Sequence, residues 1–291
     1  MITVLALAMF LQPAPPAGWT DANVWGNGIR IHYWHAANPG KPVMVFAHGS
    51  SDDALCWTNF AKELTDGYDI YLVDARGHGL SDPPKAGDPA DVQVEDLAAF
   101  IRELKLVKPI LMGHSMGSSA VAWFAAKYPD IPKAVILEDP GLTPRAPAAA
   151  AAAGTTPATP EERIQRMIQR NNMSLAELTA QCMKDSPKWG EAECAVWAPS
   201  KRRHHPATTL GASFGAGAGR PPMSEILPKI TAPTLILKAD AEGDARQKNE
   251  EAAALLPKGR IVHIDGAGHN VRRENKPMAL ATLRVFLAEL R

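Results

Sequence analysis

The chain has 291 residues, no formal net charge, and hydrophobic side chains at 46% of its positions. This length and composition suffice for one large core, or for a core that carries an insertion. With zero net charge and no basic stripe, the chain lacks the electrostatic signature of a nucleic-acid-binding protein. It also contains no C-x-x-C or H-E-x-x-H motif, so nothing in its spacing predicts a metal site.

The first residues of the chain are apolar and then proline-rich. Positions 1–11 are apolar apart from Thr3, and a Pro-Ala-Pro-Pro run follows at 13–16. The apolar run is too short to span a bilayer, and it lacks the Lys or Arg that normally begins a secretory signal. We therefore interpret residues 1–18 as a loosely attached leader of a cytoplasmic protein. The alternative is a signal peptide on a secreted or periplasmic protein.

The three cysteines, Cys56, Cys182 and Cys194, cannot all pair with one another. Cys182 and Cys194 would be able to form a bridge in an exported protein, because disulfides persist in oxidising compartments. A cytoplasmic location favours two reduced thiols instead, and this is our expectation.

The first half of the chain alternates between apolar strand patterns and helical patterns. Continuous apolar runs are typical of strands that are covered on both faces. Asn27-Gly28 is a hairpin signal, so the segments on either side of it should pair antiparallel. The expected strands are 29–34, 43–47, 69–73, 110–112 and 134–137, and the expected helices are 55–64, 92–104 and 118–128.

After position 140 the composition changes. Residues 143–160 are rich in Pro and Ala, which predicts a mobile loop, and its first part, 143–154, is expected to act as a hinge for lid motion. Helices are expected at 161–171 and 174–183, and basic and Gly-rich sequence follows as far as position 219. The alternation then resumes, with strands 234–238 and 260–264 and helices 245–256 and 276–290.

This order of elements predicts a mostly parallel sheet with helices on both faces. The loops at the carboxyl ends of its strands should carry the chemistry. The interruption of roughly eighty residues begins at such an end, so we expect it to fold as a helical cap over the site. The expected division is a core of residues 19–140 and 225–291, and a cap of residues 141–224.

The central motif is Gly113-His114-Ser115-Met116-Gly117, which follows a short apolar strand and precedes an Ala-rich helix. A G-x-S-x-G sequence in this context makes a sharp turn that aims the serine hydroxyl away from the strand. The two glycines allow the helix to approach the strand closely. A serine at a helix N-terminus is also near free N–H groups that favour a developing oxyanion. Ser115 is therefore the predicted nucleophile.

Four motifs occur in a fixed order: His48-Gly49, the Asp-Ala-Arg-Gly-His-Gly-Leu-Ser run at 74–81, the motif at 113–117, and Gly-Ala-Gly-His at 266–269. With this set, residues 19–291 outside the cap resemble the α/β-hydrolase superfamily, in its capped serine esterase and lactonase branch. The resemblance implies an α/β-hydrolase fold with an eight-stranded, mostly parallel sheet and a lid after the sixth strand. A serine nucleophile argues against the haloalkane dehalogenase and epoxide hydrolase branches, which form an ester on a carboxylate.

The predicted base is His269, because in such hydrolases the histidine follows the nucleophile and the acid in chain order. The resemblance implies that His48 and His78 stabilise loops. It also implies an oxyanion hole formed by the backbone N–H groups of Met116 and Ser50.

The acid of the triad is less well specified by the sequence. Members of the superfamily commonly have Gly-x-x-Asp after the seventh strand, and if Ala239 replaces that glycine, Glu242 takes the acid position. We select Glu242. Asp240, closer to the strand end, and Asp139, at the end of the sixth strand, are the alternatives. Asp244 is expected to cap the following helix.

These assignments predict hydrolysis of a small to medium hydrophobic ester or lactone through an acyl-enzyme on Ser115, without a cofactor. No nucleic-acid partner and no stable membrane insertion are expected, and the sequence does not specify an oligomeric state. A carbon–carbon hydrolase, a hydroxynitrile lyase and a ligand receptor without turnover are the alternatives.

In the expected cap, the basic run at 201–203 either contacts an acidic group of a ligand or is a solvated face. Five residues either line an apolar pocket or form the core of the cap: Met173, Met183, Trp189, Trp197 and Phe214.

Overall fold

The computed structural model describes residues 16–143, 158–209 and 219–290. One eight-stranded sheet has the order β1-β2-β4-β3-β5-β6-β7-β8. β2 pairs antiparallel with β1 and β4, and the other pairs are parallel. The expected fold class is therefore confirmed. The strands are β1 (Thr20–Gly26), β2 (Ile29–Ala36), β3 (Val43–Ala47), β4 (Asp69–Val73), β5 (Ile110–His114), β6 (Ala134–Glu138), β7 (Thr234–Ala239) and β8 (Gly259–Ile264).

The hairpin between β1 and β2 forms at the expected dipeptide. Gly26 is the register partner of Ile29, so Asn27 and Gly28 alone make the turn. Both residues have positive φ, 48° and 73°, which is the conformation that a type I′ hairpin turn requires.

The parallel strands bury side chains on both faces of the sheet. In β3, Met44 and Phe46 point into one hydrophobic cluster, and Val45 points into the other. In β5, Met112 points into the same cluster as Met44 and Phe46, and Leu111 points into the same cluster as Val45. Successive strand residues face opposite sides, so burial of both faces explains the continuous apolar runs in the sequence.

Ten α-helices lie within the described ranges, and most of them match the expected positions within a few residues. One correction concerns α8, where Glu242, and not Asp244, is the N-cap residue. α6 was not expected from the sequence, and it contains Pro199, a residue that normally interrupts a helix. The helices are α1 (Thr58–Ala61), α2 (Val92–Glu103), α3 (Met116–Lys127), α4 (Pro160–Asn171), α5 (Leu175–Asp185), α6 (Gly190–Arg202), α7 (Met223–Ile226), α8 (Gly243–Ala253), α9 (Val271–Glu274) and α10 (Lys276–Glu289).

Helices α4, α5 and α6 lie between β6 and β7 in the chain, and we call them the inserted helices. Capping boxes begin α4, at Thr159, and α5, at Ser174. A disulfide between Cys182 and Cys194 joins α5 to α6, with 5.6 Å between the Cα atoms. The expectation of two reduced thiols is therefore wrong. The two cysteines meet because α5 and α6 pack side by side, which their spacing in the sequence does not reveal.

Helix α6 is anchored to the core by buried charges. Lys201 is fully buried and its ammonium contacts the carbonyl of Ser51, while Arg203 forms an ion pair with Asp53. Only Arg202 among residues 201–203 is exposed, so this basic run is not a solvated surface face.

The proposed leader lies almost wholly outside the described residues, as do Phe214 and most of the proposed hinge loop.

Candidate active site

Ser115 lies in a strained turn between β5 and α3. Its φ is 51°, in the left-handed region that side chains other than glycine rarely adopt. The two glycines of the motif make this turn possible. A Cβ on Gly113 would overlap the backbone of Gly117, and a Cβ on Gly117 would overlap the carbonyl of Ala47. The Ser115 N–H donates to the Glu138 carbonyl at 3.0 Å, which ties the turn to the neighbouring strand β6.

His269 lies beside Ser115, in the loop that follows β8. Its Nε2 is 2.9 Å from Ser115 Oγ, and its Nδ1 is 2.5 Å from Asp139 Oδ2. An ionised carboxylate can only accept a hydrogen bond, so in the contact with Asp139 the proton is on Nδ1 of His269. Nε2 therefore carries no proton and is able to accept one from the Ser115 hydroxyl. The His269 side chain is 54% exposed, so the hydroxyl and the imidazole face solvent-accessible space.

Asp139, and not Glu242, contacts Nδ1 of His269. Asp139 directly follows β6, and its φ of 41° turns the side chain toward His269. Its Oδ1 accepts hydrogen bonds from the Lys238 ammonium at 2.5 Å and the Ala239 N–H at 3.2 Å. Burial by itself raises the pKa of Asp139, but the hydrogen bond from His269 and the positive charge of Lys238 outweigh it and lower that pKa.

Glu242 is exposed at the start of α8, where it is the N-cap residue. Glu242 is the acid selected from the sequence, but the structure does not bring it to His269, whose Nδ1 contacts Asp139 instead. Asp240 is not beside His269 Nδ1 either. Its Oδ2 accepts from the Gly266 N–H at 2.8 Å, and its own N–H donates to the Ala267 carbonyl at 2.8 Å. Asp240 thus fixes the loop that carries His269.

Ser50 lies on the same side of the sheet edge as Ser115, in the loop that follows β3. Both residues line a cavity of about 110 Å³ that His269, Trp189 and other residues complete. Met116 is the first residue of α3, where backbone N–H groups have no carbonyl in a preceding turn. Across the described ranges, the N–H groups of Ser50 and Met116 donate no hydrogen bond to the protein.

Two histidines hold the loop that carries Ser50. His78 Nε2 donates to the Ser50 carbonyl at 2.9 Å. His48 Nδ1 donates to the Gly49 carbonyl at 2.8 Å, and its Nε2 accepts from the Ala75 N–H at 3.0 Å. The expectation that these two histidines stabilise loops is confirmed.

His114 is adjacent to Ser115 but does not contact its hydroxyl. It is buried, and its Nε2 donates to the backbone carbonyl of His269 at 3.0 Å. Burial, followed by the positive charge of Arg272, lowers the pKa of His114 well below its usual value, so the ring is neutral. His114 therefore supports the backbone of His269.

A buried ionic cluster underlies the site, and the sequence analysis missed it. Asp52 accepts from Arg272 at 3.0 Å and from Arg273 at 2.9 Å, and Arg272 also donates to Glu138 at 2.9 Å. Although burial raises the pKa of Asp52, the charges of Arg273, Lys201 and Arg272 hold that pKa well below its usual range. The only signal in the sequence was that Arg272 and Arg273 follow His269 closely. Asp52 and Glu138, the carboxylates of this cluster, lie more than a hundred positions earlier in the chain.

Within residues 16–143, 158–209 and 219–290, no group of three or more His, Cys, Asp or Glu side chains is arranged to hold a metal ion. Among the helices of the same ranges, none has the length and hydropathy needed to cross a bilayer.

Residues 44–282 match the family model of the alpha/beta hydrolases, and the chain belongs to this family. An N-formylmaleamate deformylase of Pseudomonas putida is 26% identical over 252 residues, which cover 86% of this chain and 89% of that protein. Two further matches are more local. A 2-(acetamidomethylene)succinate hydrolase of Mesorhizobium japonicum is 39% identical over 34% of this chain, and an epoxide hydrolase of Caenorhabditis elegans is 33% identical over 41%. The chain spans about a third of the length of these two relatives.

The fold is also shared with solved structures. The N-formylmaleamic acid deformylase of Pseudomonas putida S16 superimposes with a TM-score of 0.73 at 22% sequence identity, covering 91% of this chain and 100% of that one. At this identity the likeness supports the fold alone.

Proposed function

We propose that this protein is a serine hydrolase that cleaves a carboxylic ester or lactone through an acyl-enzyme on Ser115. The observation that carries the proposal is the continuous chain of contacts from Ser115 through His269 to Asp139. This arrangement contains a nucleophile, a base and a group that orients the base, which is the recognisable geometry of acyl-transfer hydrolases.

In the first half of the reaction, Ser115 Oγ attacks the substrate carbonyl carbon while His269 Nε2 takes the hydroxyl proton. The imidazolium then gives this proton to the departing alkoxide oxygen, and the carbon–oxygen bond breaks. In the second half, His269 takes a proton from water as the water attacks the acyl-enzyme carbonyl. The same proton returns to Ser115 Oγ as the acid product leaves. Asp139 stays ionised and stabilises the imidazolium in both halves.

The negative charge of each tetrahedral intermediate falls on the former carbonyl oxygen. The N–H groups of Ser50 and Met116 are the proposed donors, because each follows a glycine or serine of the motifs and neither has a partner within the described protein. Loss of one such donor typically costs about 3 kcal/mol of transition-state stabilisation. The hydrogen bond from His48 Nδ1 to the Gly49 carbonyl fixes the orientation of the peptide that carries the Ser50 N–H.

We further propose that residues 141–224 act as a cap over the site. Trp189, the N-cap residue of α6, lines the same cavity as Ser115, which supports this placement. The indole offers an apolar wall for the substrate. Met173 lines a separate cavity, and Met183 is partly exposed, so neither supports the expected apolar pocket.

The test is the turnover of p-nitrophenyl acetate and butyrate. Ser115→Ala should remove activity by several orders of magnitude, because the nucleophile cannot be replaced. Ser224→Ala, an exposed serine in α7, is the matched control and should behave as wild type. Multiple turnovers per chain exclude a receptor without turnover. Full activity in a folded Ser115→Ala variant would refute the proposal.

A second candidate is removal of a formyl group from nitrogen. It is favoured by the Pseudomonas putida relative, whose match covers 86% of this chain. The same Ser115, His269 and Asp139 would perform it, with an amine or amide nitrogen as leaving group. Release of formate from N-formyl amides, measured against ester turnover under the same conditions, decides between the two candidates.

A further inference from the structure

Asn270 directly follows His269 and lines the same cavity as Ser115. It is the N-cap residue of α9, yet its side chain makes no capping hydrogen bond. An asparagine at this position normally accepts from the first N–H groups of the helix through its side-chain oxygen. The carboxamide of Asn270 is therefore available for other contacts.

Glu274, at the end of α9, holds the backbone around His269 instead. Its Oε1 accepts from the Asn270 N–H at 3.3 Å, and its Oε2 accepts from the Gly268 N–H at 2.7 Å. These two bonds lie on either side of His269 in the chain. Because they do not involve the side chain of Asn270, a substitution of that side chain should leave the loop in place.

One end of the Asn270 carboxamide is held by Arg273, whose Nη1 donates to Asn270 Oδ1 at 3.2 Å. A guanidinium can only donate, so the carboxamide oxygen must face Arg273 and the NH₂ group must face away from it. Arg273 is itself buried and fixed. It donates to Asp52 at 2.9 Å, and its guanidinium carbon lies 4.4 Å from the ring centroid of Trp189. The buried ionic cluster thus determines the orientation of the carboxamide.

The other end of the carboxamide, Nδ2, donates no hydrogen bond to any residue that the structure describes. It is also accessible, since it is not among the buried polar atoms that lack a partner, and Asn270 is only half-buried. An oriented donor beside a cavity binds an acceptor on a ligand without first having to be ordered. The unused N–H groups of Asn270 therefore suit a hydrogen bond to the substrate.

The neighbouring His269 relates this donor to one part of the substrate. In the proposed reaction His269 protonates the departing alkoxide oxygen, so that oxygen must lie about 3 Å from Nε2. The alcohol part of the ester then lies along the loop that carries His269 and Asn270. The turn before α6 encloses this side, because Trp189 lines the cavity and Lys188 donates to the Gly266 carbonyl of the same loop at 2.7 Å.

We propose that Asn270 Nδ2 donates a hydrogen bond to an oxygen in the alcohol part of the substrate, so that the natural substrate is an ester of an oxygenated alcohol. The inference rests on the proposed hydrolase function and adds the chemistry of the leaving group to it. The cavity has only about 110 Å³, so the accepting oxygen should lie a few bonds from the ester oxygen. Ether, hydroxyl and carbonyl oxygens all accept such a bond.

The test compares isosteric esters. 2-Methoxyethyl acetate and butyl acetate have alcohol parts of equal length, and they differ by one ether oxygen in place of a methylene. 3-Methoxypropyl acetate and pentyl acetate place that oxygen one bond further from the ester. The measured quantity is the ratio of kcat/KM for the ether ester to that for the alkyl ester, from acetate release. The ratio cancels any general effect of a substitution on Ser115 or His269.

Asn270→Asp is the decisive variant, because its carboxylate still accepts from Arg273 but has no N–H group to donate. For at least one pair it should lower the ratio by about threefold to tenfold, the effect of one neutral hydrogen bond. Asn270→Ala, which loses both ends of the carboxamide, should lower the ratio as much. Asn23→Asp is the matched control: it makes the same change of charge at an exposed asparagine of β1, outside the cavity, and should keep the wild-type ratio.

A third pair locates the contact. Methyl methoxyacetate and methyl butanoate carry the same replacement in the acyl part, and Asn270→Asp should leave their ratio unchanged. A fall in this ratio alone would overturn the assignment to the leaving group. A fall of the alcohol ratios in Asn270→Ala but not in Asn270→Asp would reveal a purely structural role and would also overturn it.

The same assays separate this inference from the proposed function. Turnover that depends on Ser115, with all ratios unchanged in both Asn270 variants, leaves the proposed function standing and overturns the inference alone. Absence of Ser115-dependent turnover for every ester of the series would overturn both.

Discussion

The loops that follow β6 and β7 both carry acidic residues, yet only the β6 loop presents one to His269. After β6, Asp139 adopts a positive φ and its carboxylate reaches Nδ1 of His269. After β7, Asp240 bonds to the backbone of the His269 loop, and Glu242 faces solvent. The backbone turn at the strand end, and not the spacing of acids in the sequence, therefore decides which carboxylate is available.

The two loops also complement each other. The β6 loop supplies the acceptor, Asp139, and the end of β7 supplies two of its donors, the Lys238 ammonium and the Ala239 N–H. These donors keep the carboxylate ionised and oriented. The following variants separate the contributions of the two loops.

The largest effect is expected from Asp139→Asn. The amide cannot hold the His269 tautomer that leaves Nε2 free, and loss of such an acid lowers kcat by about 10⁴-fold. The measurement is p-nitrophenyl butyrate turnover, with circular dichroism to verify the fold. A fall of less than tenfold would mean that the acid lies in the β7 loop after all.

A smaller effect is expected from Asp240→Ala. This variant removes the carboxylate that accepts from Gly266 N–H, so the loop that carries His269 loses one support. We expect kcat to fall by about tenfold and unfolding free energy to fall by about 1 kcal/mol, the net contribution of a single hydrogen bond. Urea denaturation and steady-state kinetics check both values. A loss as large as that of Asp139→Asn would contradict a supporting role.

Lys238→Met tests the contribution of the neighbouring cation. The positive charge of Lys238 lowers the pKa of Asp139, so its removal should raise that pKa toward the ordinary value. The titration midpoint of the Asp139 carboxyl, followed by NMR of its carboxyl carbon, should then move to higher pH, with only a few-fold loss of kcat at neutral pH. An unchanged midpoint would show that Lys238 does not govern this ionisation.

The same carboxylate should contribute to acid sensitivity. Because the pKa of Asp139 is lower in the folded protein than its usual value of 3.8, its stabilisation is present above that value. It is lost as pH falls through the folded pKa. The difference in unfolding free energy between wild type and Asp139→Asn should therefore shrink in this acidic range. A difference that stays constant between neutral pH and pH 3 would contradict the lowered pKa.

The smallest effect is expected from Glu242→Gln, the residue that the sequence pattern favours. Its side chain is exposed and does not contact His269, so kcat/KM should stay within about twofold of wild type. Parallel assays of Glu242→Gln and Asp139→Asn compare the two loops directly. A large loss in Glu242→Gln would require a different loop conformation during catalysis.

The contrast also shows what the sequence is able to specify. Ser115 and His269 lie in contiguous motifs whose local backbone determines their position, and the core strands are evident because both of their faces are buried. Which carboxylate contacts His269 depends on the backbone conformation of two separate loops, the one after β6 and the one after β7. The partners of Lys201 lie about 150 positions earlier in the chain, so the run at 201–203 resembles an ordinary surface sequence. The disulfide likewise depends on the packing of α5 against α6.

The attachment of α6 has a consequence for how the protein unfolds. Cys182–Cys194 closes a short loop, which stabilises by about 3 kcal/mol, and links α5 covalently to α6. On its other side, α6 shares buried ion pairs with Asp52 and Asp53. Withdrawing α6 would leave Asp53 buried without Arg203, a costly state, and would take Lys201 away from Asp52, which keeps Arg272 and Arg273. The inserted helices and the sheet should therefore melt in one cooperative transition, and substrate should reach Ser115 past the edge of α6 while this helix stays in place.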